Sequence, residues 1–189
     1  MLIKKNINHS KYIFWISILF IWILSTIADR IWWNLYSITP SWDQADYLNS
    51  ALDHARALSF LGADAASDFN SLLDKSPKIP PLASIINGAV ITFAGDAPHQ
   101  AAWSLSFWNG FFIFNIASWG LYLSGKKFGL FCVLISACSP FLFNLRTDYV
   151  LELPLISAIT FYLFHLGRWS DKSIGGKWIC LLYTSDAAD

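Results

Sequence analysis

The feature that most constrains this chain is the grouping of its apolar residues into long runs almost free of charge. Residues 12–27 form the first run, 101–123 the second, 128–143 the third and 153–166 the fourth. A helix needs about 20 apolar residues, roughly 17 to 25, to cross the hydrocarbon core of a bilayer. The second run meets that length, the first meets it when carried on to about residue 33, and the last two meet it once their polar edges are counted. The composition agrees, since 55% hydrophobic, 17% aromatic and only 14% charged residues fall outside the range of soluble domains. The expected fold class is an all-α polytopic membrane protein. About four transmembrane helices are expected, near 12–33, 101–123, 128–143 and 153–167, with juxtamembrane helices in a first external loop spanning 40–100.

Charge placement sets the orientation. Lys4, Lys5 and Lys11 precede the first run, which places the N-terminus inside. The same pattern fits a secretory signal peptide, but the run carries Phe14, Trp15, Phe20 and Trp22 and ends at Ile27-Ala28-Asp29 without a convincing small-x-small cleavage site, so an uncleaved anchor is the preferred reading. Trp32, Trp33 and Tyr36 form the expected aromatic belt at the outer interface. Formal net charge is zero, which gives no footing for nucleic acid as a partner. Cys132 and Cys138 stand six apart within the third run, neither a metal-ligand spacing nor a disulfide framework, and are expected to be buried.

The apolar segment 81–95 is short and opens on a proline pair, so it either spans or lies at the interface. If it spans, Lys126 and Lys127 fall outside; if it does not, they fall inside together with Arg168, Lys172 and Lys177. The positive-inside rule favours the second arrangement. The connection 144–152 then faces the same external side as the first loop, so Arg146, Asp148 and Glu152 can share a site with Asp43.

Within that loop, Ser41 followed by Gln44 is a capping-box pattern, and Ala45, Leu48, Leu52, Ala55 and Leu58 repeat at helical spacing. This predicts an amphipathic helix lying against the membrane, with Asp43 in its first turn. A carboxylate there serves either as a capping charge or as a functional acid. Lys78, ahead of Pro80 and Pro81, either snorkels to the headgroups or contacts a phosphate. His9, His54, His99 and His165 are scattered, with His54 expected at the surface of the amphipathic helix, and no metal signature is present. No cofactor is predicted. The last ten residues, 180–189, match the translation of TGT CTC TTA TAC ACA TCT GAC GCT GCC GAC, which looks like a transposon-end sequencing adapter. The natural sequence is therefore expected to stop being legible after Ile179.

Four elements occur in a fixed order: Pro40-x-Trp42-Asp43-Gln44-Ala45-Asp46-Tyr47-Leu48, Lys78-x-Pro80-Pro81-Leu82, Phe93-Ala94-Gly95, and Arg146 followed by Leu151-Glu152-x-Pro154-Leu155. Together they resemble the dolichyl-phosphate-mannose protein mannosyltransferase superfamily of the GT-C fold, which includes bacterial aminoarabinose transferases. The resemblance is greatest to the bacterial branch and runs over about residues 12–166. It implies a multi-span inner (plasma) membrane glycosyltransferase, its active site on the external or periplasmic face. Its donor would be a sugar on a polyprenyl phosphate and its acceptor a hydroxyl of a lipid, glycan or protein. Asp43 matches the essential acid of the family's first external loop. Relatives often carry a second acid directly after it, where this chain has Gln44; Asp46 and Glu152 are the remaining candidates for a second acid, Glu152 standing where relatives more often have Asp.

Transfer to a hydroxyl needs an acceptor for the incoming proton and positive charge for the departing phosphate. Asp43 is the candidate for the first role, and Arg146 and Lys78 for the second, the guanidinium being able to grip phosphate oxygens in pairs. The resemblance implies direct displacement with inversion. Family members continue through further spans, so residues 1–179 are expected to be the N-terminal part of such a domain, inactive alone. Two other classes remain as alternatives: a transporter or flippase component, and a non-catalytic membrane subunit.

Overall fold

The computed structural model describes residues 2–36, 41–59, 69–75 and 81–172, and among these the chain is all-helical, with no strand. The helices are α1 (Leu2–Leu35), α2 (Trp42–Leu58), α3 (Phe69–Leu73), α4 (Pro81–Ala94) and α5 (Pro98–Ala101), followed by α6 (Trp103–Ser124), α7 (Lys126–Cys138), α8 (Pro140–Thr147) and α9 (Glu152–Lys172). Lys78 and the tail 180–189 lie outside the described residues.

Only the stretch Lys11–Leu35 of α1 combines the length and apolarity to cross a membrane by itself among the described residues. Its apolar side chains are largely uncovered, with Ile13, Ile16, Phe20, Ile23, Ile27 and Ile31 all exposed. The expected run 128–143 is broken at Ser139, where Pro140 begins a new helix, and α7 and α8 reach the required length only as a broken pair. A proline lacks the N–H that would continue α7 but fits the first turn of α8. Helices α6 and α9 are long enough, at 22 and 21 residues. Asn109, Asn115 and four serines dilute the first, however, and Glu152, Arg168, Asp171 and Lys172 bound the second.

The chain forms two compact units. One contains α1 up to Leu24, α6 from Gly110, α7, and α9 from Leu155 onward. Its core is built on Phe14, Ile18, Phe112, Ile113, Ala117 and Val133. Trp15 stacks on Phe114 at 6.0 Å, and Phe111 meets Phe161 at 5.4 Å. Gly120 and Gly129 let α6 and α7 approach until a Cβ on Gly120 would lie 2.6 Å from the Gly129 Cα. Of the two cysteines expected to be buried, Cys132 is half-buried and Cys138 exposed. Cys138 is the last residue of α7, where the helix breaks before Pro140, and no described residue covers it.

The other unit holds residues 25–109 and 140–154. Helix α2 starts as the sequence predicts, with Ser41 as N-cap, Asp43 in the first turn, and the Ser41 N–H donating to Gln44 Oε1 at 3.1 Å. Its buried face, however, is Leu48, Ala51, His54 and Ala55, and it packs on α4. At 14 residues α4 is about 21 Å long, too short for a core of about 30 Å. It presents Ser84, Asn87, Gly88 and Ile91 as its own buried face. His54 is therefore a fully buried residue, not a surface one. Its Nδ1 lies 2.7 Å from the Ser50 carbonyl, and the Ser50 hydroxyl donates to Ser84 Oγ at 2.9 Å.

Gly88 sits where the two helices are closest: a Cβ there would meet Ala55 N and His54 Cβ at 2.8 Å and the Ala51 carbonyl at 3.0 Å. Two of these are backbone atoms, which cannot move aside without shifting α2. Gly88→Ala is expected to destabilise the protein by about 1–3 kcal/mol. Thermal unfolding in detergent checks this, and an unchanged or higher midpoint would show that the helices are not in such close contact.

Candidate functional site

The site grows from a charge that the chain has to bury. Asp29 lies near the end of α1 and Arg146 in the last turn of α8, and the Arg146 Nε donates to Asp29 Oδ2 at 2.9 Å with the two side chains 4% and 1% exposed. A cation in a final turn also suits the helix dipole. Taking two charges out of water is compensated only by good geometry and further hydrogen bonds. Asp29 Oδ1 is buried and has no such partner among the described residues. Beside the pair, Arg30 donates from Nη1 to the His99 carbonyl at 3.2 Å, with its guanidinium 5.3 Å from the Trp103 ring centroid.

The turn after α8 is held from both ends. The Thr147 hydroxyl donates to the Phe143 carbonyl at 3.0 Å, and the Asp148 N–H to the Asn144 carbonyl at 2.9 Å. Tyr149 is buried, and the Ser104 hydroxyl donates to its phenol oxygen at 3.2 Å. Burial pushes this phenol up to about 12, with hydrogen bonds to Ser104 and Asn87 acting the other way. Asn87 in turn accepts from Trp108 Nε1 at 2.7 Å, which ties α4 to α6.

These restraints shape a cavity of about 110 Å³ lined by Trp32, Trp33, Tyr36, Gln44, Asn144, Thr147 and Asp148. It brings the start of α2 together with the last turn of α8 and the residue that follows it. The aromatic residues expected as an interfacial belt form its wall, with the Trp32 and Tyr36 rings 4.1 Å apart and Trp32 edge-on to Phe143 at 5.3 Å. Partial burial raises the Asp148 carboxyl above its ordinary value. A wall of rings with two amides, a hydroxyl and a carboxylate suits a ligand having both an apolar face and several hydroxyls.

The residues singled out from the sequence are only partly gathered here. Asp43 is exposed beside Gln44 in the first turn of α2, but it does not line the cavity. Asp46 and Glu152 are likewise exposed and outside its lining. Arg146 stands in the same turn as Thr147 but does not line the cavity, and it is paired with Asp29. A larger space of about 290 Å³ between α2 and α4 includes Arg56 and Asp96 but none of these residues. Sequence reasoning missed Asp29 and Arg30, because ending the first run at Ile27 leaves them to the interface. Two adjacent charges inside a 25-residue candidate span were the available signal.

No family model matches the chain, and neither a curated protein nor a solved structure matches it.

Removing one partner of a buried pair leaves the other charge stranded, whereas replacing both with apolar residues is often neutral. Asp29→Ala and Arg146→Ala are each expected to cost about 3–5 kcal/mol, with Asp29→Leu combined with Arg146→Met recovering most of it. Thermal unfolding of the three variants checks this. A double variant as unstable as the sum of single losses would mean that the two residues act independently.

Proposed function

We propose that the protein is a multi-span membrane glycosyltransferase that moves a sugar from a polyprenyl-phosphate carrier to a hydroxyl acceptor on the external face. The observation that carries this reading is the cavity shared by Gln44 and the 144–148 turn. The charge-derived topology places the first loop and that turn on one side of the membrane, and a common cavity agrees with it. The uncovered apolar side chains of α1 fit a lipid surroundings. The resemblance of the Pro40–Leu48 and Arg146–Leu155 elements to lipid-phosphate mannosyltransferases supplies the reaction class.

In this scheme the donor sugar packs against the rings of Trp32, Trp33 and Tyr36, and its hydroxyls are met by Gln44, Asn144, Thr147 and Asp148. Asp43, at the cavity's edge in sequence and open to solvent, accepts the proton of the incoming hydroxyl as its oxygen attacks the anomeric carbon. The bond to phosphate breaks as the new glycosidic bond forms, inverting the sugar carbon and releasing polyprenyl phosphate. Positive charge near the departing phosphate lowers the barrier.

Membranes from cells expressing the gene at its native locus, given a radiolabelled polyprenyl-phosphate sugar, are expected to release labelled glycoside. Asp43→Asn should lower that rate by about 10²–10⁴-fold while leaving the amount of inserted protein unchanged. Near-normal turnover in this variant would remove Asp43 from the mechanism. Movement of the intact donor across the membrane without cleavage would replace the enzyme with a flippase.

A further inference from the structure

The three charges around the end of α1 do not balance. Asp29 pairs with Arg146 at 2.9 Å and attracts Arg30 without a hydrogen bond, so one carboxylate faces two guanidinium groups and one positive charge is in excess among the described residues. Its surroundings are built on one side only. Nη1 is fixed by the His99 carbonyl and the planar face by the Trp103 ring, whereas Nε and Nη2 are buried and have no acceptor among the described residues. Those two nitrogens share one edge of the guanidinium, and their N–H bonds run parallel at the spacing of two oxygens on one phosphorus or carbon. One turn along the same helix, Trp33 Nε1 is also buried without an acceptor. Three unused donors and no acceptor among them describe a preference for an anion. Asp29 Oδ1, the neighbouring unpartnered acceptor, belongs to a carboxylate already neutralised by Arg146.

We propose that Arg30 forms an oxyanion site, its Nε–Nη2 edge gripping two oxygens of a phosphate group, with Trp33 Nε1 as an adjoining donor. Trp33 lines the cavity described above, which places the anion next to the space assigned to the sugar. The residue as a whole is only half-buried, and its contact with His99 is exposed, so the side chain can turn to admit a ligand. The site rests on the glycosyltransferase reading insofar as the phosphate belongs to a polyprenyl carrier. It transfers the role expected of Arg146 to a residue whose Nε–Nη2 edge is not already taken by a carboxylate.

The test uses the protein in nanodiscs of neutral phosphatidylcholine, titrated separately with decaprenyl phosphate, decaprenol and inorganic phosphate while tryptophan fluorescence is followed. The wild type is expected to bind decaprenyl phosphate at least about tenfold more tightly than decaprenol, as charge-assisted hydrogen bonds allow. Arg30→Gln should reduce that ratio to near one with the thermal midpoint largely kept. A ratio unchanged by Arg30→Gln overturns the site and leaves the glycosyltransferase reading in place. If Arg30→Gln does not fold, Arg30→Lys decides, because it keeps the charge and loses the paired edge: a lowered ratio supports the site and a wild-type ratio overturns it. If the wild type does not distinguish decaprenyl phosphate from decaprenol yet responds to inorganic phosphate through Arg30, the oxyanion site stands and the lipid-donor reading falls. No Arg30-dependent response to either phosphate overturns the site.

Discussion

The ion pair between Asp29 and Arg146 is the constraint on which the rest of its unit depends. A carboxylate and a guanidinium that are each almost sealed from solvent cannot remain so unless they meet. Meeting fixes the end of α1 against the last turn of α8 across 117 residues of sequence. Once α8 is held there, its C-terminal turn has one direction to take, and Thr147 and Asp148 face the rings of Trp32, Trp33 and Tyr36. The Tyr149 contact with Ser104 and the Asn87 contact with Trp108 then bind that turn and α4 to α6.

The close approach at Gly88 does comparable work for the first loop. It seats α2 on α4 through small residues, so that the helix start bearing Asp43 and Gln44 has a fixed support. A cavity whose wall comes from α1, the start of α2 and the turn after α8 owes its shape to both devices. The aromatic side chains have a double use in the proposed setting: Trp and Tyr suit the membrane interface, and the same rings offer faces to a sugar.

Much of this was legible in the sequence, and the omissions have physical causes. All-helical class follows from the apolar runs, and the start of α2 follows from Ser41 and Gln44, because both signals are local. The direction of its buried face is not local: Leu48, Ala51 and Ala55 suit a lipid surface and a partner helix equally well, and only α4 decides between them. For the same reason His54 could not be recognised as buried, since its cover comes from residues more than 30 positions away. Arg146 was visible as a functional candidate, but its partner was not, because no pattern in a single sequence pairs positions 29 and 146. Asp43 and Glu152 were chosen by resemblance to a family motif, whereas the cavity is lined by their sequence neighbours Gln44 and Asp148.

The Asp29–Arg146 pair brings the start of α2 and the end of α8 to one cavity. Cross-linking tests it most directly: Gln44→Cys and Asp148→Cys are joined by a short bifunctional thiol reagent in a background where Cys132, Cys138 and Cys180 are replaced by serine. Efficient intramolecular cross-linking that is lost when Asp29→Leu is added without a compensating change at Arg146 is the predicted result. Absence of the cross-link, or a cross-link indifferent to Asp29, would mean that the ion pair does not hold these two segments together.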